Sequence, residues 1–184
     1  MSDPDERAAL RLRPFSEGDF ARLISWVPDA PSLSQWCAGF FKHPLSDDQL
    51  TRYLESAKQP LTRKIFVAET KSGDAVGHVE LSMIWPHLSC RLSRVLVDPG
   101  RRRDGFGMEL VTLALDHAFR EYAVAQVDLG VSKDNEAAIA FYERLGFAWV
   151  GTWPNAIATS TGMITVYWMT LTRDAWGRPR PSSN

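Results

Sequence analysis

Cysteine is nearly missing from this chain: of 184 residues only Cys37 and Cys90 carry a thiol. They stand in unlike surroundings, with no further Cys or His at zinc-ligand spacing. Neither a disulfide framework nor a metal site is indicated, and a reducing, cytoplasmic setting is expected. Net charge is just as scarce. Twenty-one Lys and Arg face 22 Asp and Glu, for a formal charge of −1. No global field draws the molecule onto nucleic acid or a membrane, so any electrostatic recognition has to be local. The start, Met1 to Arg7, holds Asp3, Asp5 and Glu6 and no apolar core, which argues against a signal peptide. From Leu145 to Thr172 no side chain is charged, a run long enough on paper to span a bilayer. Gly146, Gly151, Pro154, Asn155 and Gly162 break it, however, and it reads as two strands.

What is abundant is apolar: 45% of residues are hydrophobic and 11% aromatic. A chain of this length buries roughly 70% of its unfolded surface, enough for a core and a cleft. The pattern predicts one domain over 8–176, with flexible flanks at 1–7 and 177–184. Leu10 and Leu12 alternate with Arg11 and Arg13 as a first strand, and Ser16 opens a helix through Phe20, Leu23, Ile24 and Val27. Pro28 to Pro44 reads as irregular, broken by Pro28, Pro31 and Gly39. Ser46-Asp-Asp-Gln49 resembles a capping box ahead of a helix with Leu50, Tyr53 and Leu54. Ile65–Ala68 and Ala75–Ile84 form a hairpin about Lys71-Ser-Gly-Asp74, and Trp85-Pro-His87 turns the chain into a strand over Arg91–Asp98. Helical period then runs from Gly105 through Tyr122. Val127, Leu129 and Val131 alternate as a strand, Asn135 opens a helix that ends at Leu145-Gly146, and strands over Phe147–Trp153 and Met163–Leu171 follow. The fold class is α/β, with a mixed sheet rich in antiparallel pairs.

Chemistry is concentrated in Val95-Leu-Val-Asp-Pro-Gly-Arg-Arg-Arg-Asp-Gly-Phe-Gly107, a strand running through a basic loop into a helix. Unpaired N–H groups and the positive end of the helix dipole suit a phosphate there, and Gly105 and Gly107 allow close approach. Five arginines oppose one aspartate between Arg91 and Arg103. Gly-Lys-Ser/Thr is absent, which removes the P-loop, and so is the third glycine of the dinucleotide fingerprint. Read alone, the loop is equally a solvated arginine run before an ordinary helix. A second segment, Asn135-Glu-Ala-Ala-Ile-Ala-Phe-Tyr-Glu-Arg-Leu-Gly-Phe147, sets Asn135 and Tyr142 within about 20° of one helix face and roughly 10 Å apart. Taken singly, Asn135 is a cap and Tyr142 a packing residue.

Together and in this order, Arg102-Arg-Asp-Gly-Phe-Gly107 and Asn135 to Phe147 resemble the two signatures of the GNAT superfamily of N-acetyltransferases. Leu10-Arg-Leu-Arg-Pro-Phe-Ser-Glu-Gly-Asp19 is similar to the opening of its ribosomal-protein-alanine and aminoglycoside branch. The resemblance implies a mostly antiparallel sheet with a splayed central strand pair and flanking helices. It also implies acetyl-CoA as acyl donor: the backbone of Leu96 and Val97 would bond the pantetheine arm, and the amides of Arg102, Arg103, Asp104, Gly105, Phe106 and Gly107 the pyrophosphate. Asn135 would hold the arm, and Tyr142 would lie by the sulfur as general acid.

An amine of pKa near 10 is neutral in roughly one molecule per thousand at pH 7, so a proton must be removed. Glu80, on the strand beside the cofactor strand, is the first candidate base, with His78 and water as alternatives. Glu80 is equally suited to pair with Arg94 or Arg91. Trp26, Trp36, Glu80 and Trp85, with Phe40, Phe41 and the loop Asn155–Thr161, are candidates for the acceptor site. The aromatics can face a cation or simply fill the core, since seven tryptophans must be placed. Asp29 is the only acid from Trp26 to Leu45, which argues against a polycation such as an aminoglycoside. The expected partners are therefore acetyl-CoA and an amine, without nucleic acid or membrane, in a cytoplasmic monomer or homodimer. A domain of this fold that binds acyl-CoA without turnover is the alternative.

Overall fold

In the computed structural model, residues 10–58, 63–84, 88–159 and 162–177 are described. The expected flexible ends at 1–7 and 177–184, except for Gly177, lie outside them, as does Trp85. Strands β1 (Arg11–Pro14), β2 (Arg63–Glu69), β3 (Ala75–Ile84), β4 (Ser89–Val97), β5 (Gln126–Ser132), β6 (Ala148–Thr159) and β7 (Gly162–Thr172) make one sheet in the order β1-β2-β3-β4-β5-β7-β6. Every neighbouring pair is antiparallel except β4 with β5. The charge-free segment after Leu145 is the β6–β7 hairpin, and no helix among the described residues is long and apolar enough to cross a membrane.

The period-two pattern of the strands sorts side chains onto two faces. Phe66, Val79, Leu81, Leu92, Val127, Leu129 and Met169 join a core with helix α4 (Phe106–Glu121) and the flank of helix α5 (Glu136–Arg144). Ile65, Val67 and Leu96 face the other way and join Phe20, Leu23, Leu33, Leu50 and Tyr53 from helices α1 (Phe20–Trp26), α2 (Ala30–Cys37) and α3 (Asp47–Ser56). A last turn, α6 (Arg173–Trp176), closes the described chain.

Helix α2 replaces the irregular segment expected between Pro28 and Pro44. Asp29 caps it, accepting from the Ser32 N–H at 2.8 Å, and Pro31 sits in the first turn, where a missing N–H costs nothing. Ser46 precedes α3 without a side-chain cap, and the Gln49 amide turns back to Lys42 and Pro44 instead. At the first helix, Ser16 donates from N–H and Oγ to Asp19. That buried carboxylate also receives Arg13 and Arg22.

The feature that positions everything downstream lies in β4. Its register against β3 shifts between His78 and Glu80, and Arg94 takes φ 50°, so β4 carries a bulge at that point. The Arg94 carbonyl accepts from the Trp36 indole at 2.9 Å, which ties α2 to the strand. The Arg94 guanidinium turns into the sheet to grip both oxygens of Glu80, which is 0% exposed, with Nε to Oε2 at 2.7 Å. Arg63 Nε at 3.2 Å and Ser82 Oγ at 2.6 Å complete the ring around that carboxylate. Burial works to raise the Glu80 carboxyl, but the Arg94 charge and its hydrogen bonds outweigh burial and hold it below its ordinary value. Beside it, His78 is sealed edge-on against Phe15 and Trp36 with Nε2 3.3 Å from the Tyr53 hydroxyl, and burial pushes its pKa down to about 3.

Two outcomes follow from this buried cluster. Glu80→Gln leaves two guanidiniums short of their counter-charge and should lower stability by about 3 kcal/mol, read as a lower urea midpoint at unchanged slope. A loss under ~1 kcal/mol would contradict the ion pair's structural role. His78 is neutral when folded but takes a proton near pH 6.5 when unfolded. The unfolded state thus binds the extra proton between pH 6.5 and about 3, and stability falls as pH falls through that window. The slope is about 1.4 kcal/mol per pH unit, and His78→Gln should flatten it between pH 6.5 and 5, above the range where carboxylates titrate.

Candidate active site

Strands β4 and β5 pair over only three positions, Ser89 with Gln126, Cys90 with Val127 and Arg91 with Asp128. Beyond Arg91 they part: residues 92–97 keep only β3, and 129–132 keep only β7. The gap opens into a cleft of about 890 Å³, walled by β4, β5, the start of α5, α2 and the Trp153 and Trp168 side of β6 and β7. Backbone parity decides what β4 offers to it. Asp98 N–H donates to Val76 on β3, so Leu96, two residues earlier, also points its backbone groups to β3. Of the expected pair Leu96 and Val97, only Val97 turns its amide to the open edge.

At the far end of β4, Asp98 accepts from Gly100 N–H at 2.8 Å and closes a turn over Pro99–Arg101. Arg103 (φ 73°) and Gly105 (φ 89°) then adopt left-handed backbone, and Gly105 caps α4, a place glycine fills without a side-chain penalty. Among the described residues, no backbone N–H from Arg102 to Gly107 donates to a protein acceptor. Six amides at the start of a helix of 16 residues are therefore available to an anion. Arg101 is turned onto Asp104 and the Phe106 ring, whereas exposed Arg102 and Arg103 have no ion-pair partner among the described residues. The Phe106 ring itself is core; only its backbone belongs to the loop.

Asn135, part of the cleft lining, caps α5 with Oδ1, accepting from Ala138 N–H at 3.1 Å, and its Nδ2 donors have no protein partner among the described residues. Tyr142 lines the same cleft, half-buried, its ring packed on Phe141 and Phe147 and its hydroxyl without a protein partner among the described residues. Burial pushes that phenol up to about 12.

The acceptor-side candidates divide. Trp36 and Phe40 line the cleft, but Trp26 is 7% exposed within the core under α1 and does not reach it, a correction that follows from the apolar face of a helix having to be buried. Glu80 and His78 lie beneath the cleft floor and outside its lining. Among the lining residues that the sequence does not mark as acceptor contacts are Arg91, Trp153 and Trp168. Trp153 and Trp168 stack at 5.0 Å and 14°, and the Arg91 guanidinium lies 4.7 Å over Trp168. Gly130 admits the ring, because a Cβ there would fall 2.9 Å from Trp168. The available signal was Arg91 and Ser93 alternating with Leu92 in a central strand, where an ordinary core would place apolar side chains on both faces.

Residues 30–147 match the sequence profile of the acetyltransferase (GNAT) family. Spermidine N(1)-acetyltransferase of Vibrio cholerae is 27% identical over 140 residues, 75% of this chain and 78% of that protein. Streptothricin acetyltransferase of Streptomyces lavendulae is 34% identical over 88 residues, 48% of this chain and 46% of that one. The crystal structure of the Vibrio cholerae spermidine N-acetyltransferase in complex with CoA and spermine has the same fold, with a TM-score of 0.81 at 23% identity over 92% of this chain and 98% of that one. With the parted strands, the open amides and the matched profile in one place, the chain belongs to the GNAT acetyltransferase family, whose acyl donor is acetyl-CoA.

Proposed function

We propose that this chain transfers an acetyl group from acetyl-CoA directly to a primary amine of a small molecule or peptide, in the cleft between β4 and β5. The observation that carries this reading is the parting of the two strands after Arg91, with unsatisfied amides at one end and the Tyr142 hydroxyl along the side. Acetyl-CoA supplies the thioester. The amides of residues 102–107, with Arg102 and Arg103, hold its pyrophosphate, and Val97 and the Asn135 side-chain amide hold the pantetheine arm. The free β4 edge gives a backbone donor to the carbonyl oxygen as charge develops there, an effect worth roughly 3 kcal/mol per donor.

The proton inventory follows from burial. Glu80 is bound by two arginines and His78 is sealed in the core, so the amine proton leaves to water within the cleft. The neutral amine forms the C–N bond, the C–S bond breaks, Tyr142 donates its hydroxyl hydrogen to the departing sulfur, and the proton shed by the new amide nitrogen returns through water to the Tyr142 oxygen. A phenol held near 12 stays protonated until that negative charge appears. The two unpaired thiols, Cys37 and Cys90, support a reducing cytoplasmic setting.

Thiol release from acetyl-CoA in the presence of an amine panel tests the reading directly. Acetyl-CoA binding without turnover of any amine would indicate a sensor of this fold. Tyr142→Phe should lower kcat on the order of 100-fold with little change in KM for acetyl-CoA; a kcat within twofold of the parent from pH 6 to 10 would remove the assigned role. With no protein base, log kcat/KM should climb with unit slope up to the pKa of the amine itself. A plateau beginning near pH 6 to 7 would reveal a protein base.

A further inference from the structure

Resting on that reading, the charges of the cleft narrow the acceptor. Two arginines line it, Arg91 and Arg94, and Arg94 is committed to Glu80. The Arg91 side chain makes no ion pair or hydrogen bond among the described residues, and its Nε is buried without a partner. Asp128, its cross-strand neighbour, is occupied by the Gln126 amide at 2.9 Å and the Thr170 hydroxyl. Among the described lining residues the one carboxylate is Asp134, exposed at the start of α5 and so on the donor side. A polyamine entering here finds a fixed cation where it needs anions. The Arg91 guanidinium is instead packed on the Trp168 face, with Nε buried and the terminal Nη1 and Nη2 donors left to bond a carboxylate. The Trp153–Trp168 stack beside it offers an apolar wall.

We infer that the acceptor is an amine that also bears a carboxylate, an amino-acid-like molecule whose anionic group binds Arg91, and that polyamines are rejected despite the likeness to spermidine acetyltransferases. Matched pairs with and without the carboxylate test it: phenylalanine against phenethylamine, leucine against isoamylamine, 5-aminovalerate against pentylamine, with spermidine beside them. Two readouts are taken, kcat/KM with acetyl-CoA and calorimetric binding to the protein saturated with CoA.

At least one carboxylate-bearing member should exceed its partner and spermidine tenfold or more in both, as expected for a charged hydrogen bond out of water. Arg91→Met should bring the ratio toward one, chiefly through KM, and Arg91→Lys should retain part of it. Preference for spermidine or for the bare amines, no binding of any carboxylate-bearing member, or a ratio that survives Arg91→Met would overturn the inference. Should Arg91→Met fail to fold, the wild-type ratios and Arg91→Lys still decide. Carboxylate-selective binding to the CoA complex without turnover would leave the inference standing while removing the catalytic reading.

Discussion

A buried carboxylate held by two guanidiniums sets the geometry of this molecule. Left-handed backbone at a residue with a side chain costs about 1 to 2 kcal/mol, and at Arg94 it is accompanied by the paired guanidinium contact to Glu80. The resulting bulge takes one residue of β4 out of step with β3. The strand twists at that point, and β4 and β5 make no pairing beyond Arg91 and Asp128. The same distortion turns the Arg94 carbonyl toward the Trp36 indole, so α2 is anchored over the opening it borders. The ion pair, the bulge and the Trp36 anchor thus meet at one residue beside the gap.

The two faces of the sheet do different work. Behind it, α4 packs Leu110, Val111, Ala114, Leu115 and Ala118 onto strand side chains, an entirely apolar contact that needs no directional bonding. In front, apolar residues from α1, α2 and α3 surround a polar seam of Arg63, His78, Glu80 and Arg94. Such a seam adds little net stability compared with apolar filling. It does fix which atoms meet, which is what a cleft of defined shape requires.

What could be read from the sequence was what local conformation determines. The loop from Arg102 to Gly107 and the helix from Asn135 were legible because a left-handed glycine, a capping amide and an apolar stripe all act within a few residues. Helix α2 was not, since Pro31 reads as a breaker until Asp29 is seen to cap the turn that contains it. Alternation showed that Glu80 shares a face with His78 and Ser82. It could not choose between a free base and an ion pair, because the deciding partner, Arg94, reaches it through a bulge with no signature of its own. Trp26 and Trp168 are alike as letters, and only the order of the strands sends one to the core and the other to the cleft.

The three rungs that join β4 to β5 have a mechanical meaning. They make the sheet two plates, β1 to β4 and β5 to β7, meeting along a short parallel seam. Spreading the plates in front would squeeze them together behind, where α4 lies against β3, β4 and β5 with Leu110, Ala114, Leu115 and Ala118 already at full burial. Close-packed interiors resist such compression. Opening the wedge would therefore have to displace packed side chains behind it.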